Sequence, residues 1–145
     1  MIRRMTEADV SRVAELEQSC FSTPWSEQSL RESLEKPEYL FLVCEEDGKV
    51  IGYGGLLQVG DEADILDIAV AKDSRGHGYG TEIVRALLAE GRAMGIRAFT
   101  LEVRVSNRAA VHVYEKLGFV CEGRRKDFYE KPREDAAILW LRMDD

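Results

Sequence analysis

The apolar positions of this chain change rhythm along its length, and each change marks an element. Val10, Val13, Leu16 and Glu17 follow helical spacing. Thr6, with Asp9 three residues later, has the form of a capping box with Asp in place of Glu, so a first helix is predicted over Thr6 to Ser19. Phe21-Ser-Thr-Pro-Trp25 breaks it. Ser26 then caps a second helix that carries Leu30 and Leu34 on one face until Pro37. Both helices are expected to precede the sheet.

From Tyr39 the rhythm turns to that of strands. Tyr39 to Cys44 and Val50 to Val59 are rich in β-branched, aromatic and aliphatic residues, and Asp47-Gly48 between them is a hairpin signal. A turn at Gly60-Asp61 leads to a third strand, Ala63 to Ala71. After a glycine-rich loop, Ile83, Val84, Leu87 and Leu88 place a helix over Thr81 to Met94, stopped by Gly95. Ala98 to Val105 reads as a strand and Asn107 to Leu117 as a helix ended by Gly118. Phe119 to Tyr129 and Ala136 to Met143 form a closing strand pair. This order predicts an α/β (α+β) fold: one mixed, mostly antiparallel sheet flanked by helices. With no repeat and no linker, residues 1–145 are expected to be a single domain.

Charge narrows the partners. The net charge of −7 argues against direct binding to nucleic acid or to an anionic membrane, and favours a basic substrate. Met1-Ile-Arg-Arg lacks the apolar run of a signal peptide, and no stretch reaches the ~20 apolar residues of a membrane span, so the cytoplasm is the expected compartment. Cys20, Cys44 and Cys121 are odd in number and widely spaced, which suits neither a disulfide framework nor a zinc site. Nothing in the sequence sets the oligomeric state, and a monomer is compatible with it.

Arg75-Gly-His-Gly-Tyr-Gly80 lies between an apolar strand and an amphipathic helix, where backbone N–H groups and the positive end of the helix dipole can converge on an anion; on pattern alone it is also readable as an ordinary glycine-containing connection. The loop lacks the Gly-Lys-Ser/Thr of a Walker A motif, and its alternate glycines do not fit G-x-G-x-x-G. In Thr100-Leu-Glu-Val-Arg-Val105, strand alternation sets Glu102 opposite the apolar Leu101 and Val103. On pattern alone Glu102 is also readable as a solvated carboxylate. Tyr114, which shares a helical stripe with Ala110 and Leu117, is also readable as a core aromatic. Asn107 and Ser106 compete to cap that helix. His77 and His112 have no metal-site spacing, so no metal is expected, and Cys121 has no base near it in sequence.

Arg75, Gly78 and Gly80 match the Gln/Arg-x-x-Gly-x-Gly/Ala signature of the GCN5-related (GNAT) acetyltransferases, and Ile68-Ala-Val70 resembles their cofactor-contacting strand. The segment Leu101-Glu-Val-Arg-Val-Ser-Asn107, then Ala109-Ala110 and Tyr114-Glu-Lys-Leu-Gly-Phe119, is very similar to that of the RimI family, the bacterial ribosomal-protein alanine N-acetyltransferases. Pro24-Trp-Ser-Glu27, Arg124-Arg125, Tyr129 and Glu134-Asp-Ala136 extend the likeness over nearly the whole chain. Members often carry Asn where this chain has Asp67, and two tyrosines where it has Phe128-Tyr129.

The resemblance implies a GNAT fold with a splayed central strand pair. It also implies acetyl-CoA as co-substrate, and as acceptor the basic N-terminus of small-subunit ribosomal protein eighteen, while the residues alone leave open another protein N-terminus, a lysine or a small amine as acceptor, or a CoA-binding regulatory module without turnover. By position it makes Glu102 the general base and Tyr114 the general acid. Ile68, Ala69 and Val70 bond the pantetheine arm, and Asn107 adds a cofactor contact. The loop Arg75, Gly76, His77, Gly78, Tyr79, Gly80 and Thr81 holds the pyrophosphate.

Overall fold

The computed structural model describes residues 1–143. Its elements are β1 (Ile2–Arg4), α1 (Val10–Cys20), α2 (Glu27–Leu34), β2 (Tyr39–Glu46), β3 (Lys49–Val59), β4 (Glu62–Val70), α3 (Tyr79–Ala93), β5 (Ala98–Arg104), α4 (Arg108–Lys116), β6 (Val120–Tyr129) and β7 (Glu134–Arg142). The strands join one sheet in the order β1-β2-β3-β4-β5-β7-β6. Every neighbouring pair is antiparallel except β4 with β5. The mixed, mostly antiparallel sheet expected from the sequence is therefore present.

Strand β1 corrects the expectation that both helices come first. Ile2–Arg4 pairs with Leu42–Cys44 at the edge of the sheet, and three residues reading Ile-Arg-Arg are too few to show alternation. The first helix is also shorter than predicted: Glu7–Asp9 form a 3-10 turn and the α-helix begins at Val10. Asp9 explains the early turn. Its carboxylate accepts the Thr6 N–H at 2.8 Å while Arg3 grips it through two bonds of 2.8 and 2.9 Å. The guanidinium holds the Asp9 carboxyl below its usual range.

Both faces of the sheet are covered, which is why β2 reads as an unbroken apolar run. Leu40, Leu42 and Cys44 face α3, where Ile83, Val84 and Leu87 are buried, and Phe41 and Val43 face Val10, Val13 and Leu16 of α1. Each such large apolar side chain contributes roughly 1.5–3 kcal/mol by leaving water. Close approach of α3 depends on Gly54 in β3, where a Cβ would stand 2.6 Å from Ile68 and 2.7 Å from Ile83.

The closing strands do not lie in chain order. β7 inserts between β5 and β6, pairing Ala98–Arg104 on one side and Val120–Tyr129 on the other.

Candidate active site

The sheet opens at its centre. β4 pairs with β5 only where Glu62–Asp64 meets Ala98–Thr100. Past that point Ile65–Val70 and Leu101–Arg104 diverge, leaving one edge of β4 without a strand partner. A bulge in the β3–β4 register between Gly54 and Leu56 falls opposite Leu66 and Asp67 and reorients these two residues.

A cleft of about 620 Å³ occupies the opening. Ile68, Ala69 and Val70 form one wall and Asn107, Ala110 and Tyr114 the other, with Gly76, Gly78, Gly80 and Thr81 at the end. Gly78 caps α3 with φ of 82°, a backbone shape that a side chain disfavours, and the space above it is open. The hydrogen-bond ladder of α3 starts with the Glu82 N–H to the Gly78 carbonyl at 3.1 Å. The amides of Tyr79, Gly80 and Thr81 precede that ladder and lie at the positive end of the helix. An open glycine cradle beside unpaired amides fits a diphosphate, and the free edge of β4 fits an extended amide-bearing arm.

The predicted loop residues do not all face this cleft. Arg75 lines it, but its side chain folds back, donating from Nε to the Val70 carbonyl at 3.1 Å and from Nη2 to Cys20 Sγ at 3.2 Å. His77 and Tyr79 lie outside, in a separate depression shared with Glu46 and Asp47. Asn107 lines the cleft and also caps α4, its Oδ1 accepting the Ala110 N–H at 3.2 Å.

A second cavity of about 300 Å³ adjoins the first, and Ile68, Asn107, Ala110 and Tyr114 line both. Glu102 enters it from β5, where the burial of Leu101 and Val103 follows the predicted alternation. No described residue hydrogen-bonds its carboxylate, so both oxygens keep their acceptor capacity for a group in the cavity. The Tyr114 ring rests edge-on against Phe119 at 5.6 Å. Burial, then the charge of Asp67, pushes its phenol up to about 12, so it carries its proton throughout the neutral range.

Four residues of this region escaped the sequence reading as site residues. Arg104, Asp67 and Tyr129 line the second cavity, and burial with the charge of Glu102 pushes Tyr129 up to about 12. Glu17 stands behind Asp67, fully buried on α1. It accepts the Trp25 N–H at 2.8 Å and the Tyr53 hydroxyl, and shares a hydrogen bond with Asp67. Desolvation raises its carboxyl to about 8, so it holds a proton at neutral pH. The signal was present: a glutamate on the same stripe as Val10 and Val13 has to be buried. For Asp67 the signal was absent, because the bulge that turns it inward has no mark in the sequence.

Known proteins resemble this chain over nearly its whole length. Residues 10–119 match the Acetyltransferase (GNAT) family. The [Ribosomal protein bS18]-alanine N-acetyltransferase of Escherichia coli K12 is 33% identical over 97% of this chain and 95% of its own. A Bacillus subtilis protein provisionally given the same name is 37% identical over 99% of this chain and 96% of its own. The crystal structure of the Escherichia coli ribosomal-protein-S18-alanine N-acetyltransferase superposes with a TM-score of 0.92 at 31% identity, covering 100% of this chain and 94% of that one. Ard1 from Thermoplasma volcanium shares the fold, with a TM-score of 0.90 at 24% identity over 100% and 98% of the two chains. The chain therefore belongs to the GNAT acetyltransferase family, within its RimI group.

Proposed function

We propose that this protein transfers the acetyl group of acetyl-CoA to the α-amine of the N-terminal alanine of small-subunit ribosomal protein bS18. The carrying observation is the junction of the two cavities: Tyr114 and Ile68 border both, so a thioester in the cleft meets an amine arriving through the second cavity. The relatives that match over nearly their whole length bear that activity in their names. Seven strands from Ile2 to Arg142 in one sheet support a single acetyltransferase domain over residues 1–145. No helix among the described residues is long and apolar enough to cross a membrane, and a ribosomal-protein substrate supports a cytoplasmic location.

In this reading Ile68, Ala69 and Val70 hold the pantetheine arm through their free backbone edge. The amides from Gly76 to Thr81 hold the pyrophosphate. Asn107 fixes the start of α4 beside the cofactor. The α-amine, with a pKa near ~8, attacks the thioester carbonyl, forming the C–N bond as the C–S bond breaks. Glu102 takes the proton from nitrogen, directly or through a water, and Tyr114 gives its proton to the departing sulfur, whose thiol pKa is ~8.5. No covalent enzyme intermediate is needed.

The test is acetylation of an alanine-initiated peptide with the bS18 N-terminal sequence, with the product mapped by fragmentation mass spectrometry. Acetyl on the α-amine is expected. Glu102→Gln should lower turnover by roughly 10²-fold, and part of that loss should return as pH rises past the amine's pKa of ~8. Acetyl found only on lysine side chains, or no transfer, overturns the assignment.

A further inference from the structure

Asp67 occupies a position that the proposed chemistry does not use. It lines the acceptor cavity beside Glu102 and Tyr114, on the strand whose backbone edge borders the donor cleft. Its carboxyl is bonded from behind to Glu17, which is sealed under α1 and tied down by the Trp25 N–H and the Tyr53 hydroxyl. Two carboxyl groups that share a hydrogen bond in a buried setting share one proton, so the pair carries a single negative charge. Glu17 is the partner removed from solvent and Asp67 the one that reaches the cavity. The charge is therefore offered to whatever enters there.

The other ionisable groups around Asp67 are Cys20 on α1, Tyr53 on β3, Glu102 and Arg104 on β5, Tyr114 on α4 and Tyr129 on β6. Among them Arg104 is the cation, and it is already committed to the carbonyls of Glu130 and Pro132 and to the Glu134 carboxylate. Asp67 thus lacks a cationic partner among the described residues. An incoming α-ammonium group supplies one.

We infer that Asp67, held by Glu17, is the anchor for the substrate's α-ammonium group: a specificity residue that draws the charged N-terminus into the cavity before Glu102 receives its proton. The inference rests on the proposed reading of the site as an α-amine acetyltransferase. An interaction of this kind stabilises the charged ground state and not the transition state, so it lowers KM without raising kcat. It also distinguishes substrate from product, since the acetylated N-terminus has no charge to anchor.

The experiment compares Asp67→Asn with wild type on the alanine-initiated peptide, and measures inhibition by the same peptide already N-acetylated. At pH 6.5 the variant should raise peptide KM about tenfold, the size of one charge-assisted contact, with kcat equal or higher. Product inhibition should stay the same. The KM ratio should shrink towards one above pH ~9, where the amine is neutral. Glu17→Gln serves as a second background, because its amide still donates to Asp67 while the shared proton is gone; the same Asp67→Asn effect should persist there.

If wild type acetylates the peptide while Asp67→Asn leaves KM unchanged, the anchor is overturned and the substrate assignment stands. A loss that falls on kcat, or an equal shift in product inhibition, overturns it in the same way. If wild type acetylates no α-amine at all, both fall together.

Discussion

The guanidinium of Arg104 lies over the ring of Tyr129, 4.4 Å from its centroid. It also holds the turn that follows that tyrosine, donating to the carbonyls of Glu130 at 3.1 Å and Pro132 at 2.9 Å. One side chain on the strand that carries Glu102 thus fixes the far wall of the second cavity.

Arg104→Ala removes these bonds and leaves the turn unanchored. Hydrogen bonds to a charged group contribute about 1.5–3 kcal/mol, so a comparable loss of stability is expected in urea unfolding. Peptide KM should rise severalfold while acetyl-CoA affinity, measured by calorimetry, is retained, because the donor cleft has no contact with this turn. Equal loss of both affinities would mean that Arg104 supports the sheet as a whole.

Tyr114→Phe keeps the edge-on contact with Phe119 and removes only the hydroxyl. A well-placed acid contributes ~10²- to 10⁴-fold in rate, so turnover should drop by that amount with unchanged melting temperature and cofactor affinity. Wild-type turnover, in single-turnover experiments where chemistry limits the rate, would return Tyr114 to the core.

Gly78 adopts φ of 82° with open space above it. Gly78→Val meets no protein atom at its Cβ but strains the backbone by roughly 1–3 kcal/mol and covers the loop amides. Acetyl-CoA affinity should fall by tenfold or more in a protein that still unfolds cooperatively. Undiminished affinity would move the pyrophosphate elsewhere.

Burial holds the Glu17 carboxyl up to about 8, against 4.5 for a free side chain. An acid raised in the fold binds its proton more tightly folded than unfolded. Its contribution is complete below pH ~4.5, declines through the window up to about 8, and is absent above it. The slope approaches about 1.4 kcal/mol per pH unit at most. Urea midpoints between pH 5 and 9 should therefore decline more steeply for wild type than for Glu17→Gln. Parallel curves would show that the carboxyl is ionised in the fold.

Much of this was legible before any coordinates. The alternation in Thr100-Leu-Glu-Val-Arg-Val105 set Glu102 away from the core, and the Asp47-Gly48 signal is realised as a turn with φ of 51° and 77°. What stayed hidden depends on contacts between distant segments. Nothing local in Ile2-Arg-Arg4 announces a strand; it becomes one because β2 offers a free edge. Similarly, His77 and Tyr79 belong to the loop by sequence but turn away from the cleft, since the glycines at 76 and 78 reverse the chain around them. Asp67 reaches the acceptor cavity through a register shift that arises only when β3 and β4 meet.

The insertion of β7 between β5 and β6 has a consequence for how the site assembles. The strand that carries Glu102 has, on the side away from the cleft, only residues 134–142 as a neighbour. Both proposed catalytic side chains, Glu102 and Tyr114, precede this neighbour in sequence, so β5 lacks its antiparallel partner until residues 134–142 pair with it. Glu102 is thus fixed in the sheet only by pairing with residues more than thirty positions downstream, which makes a long-range contact a condition of the site's assembly.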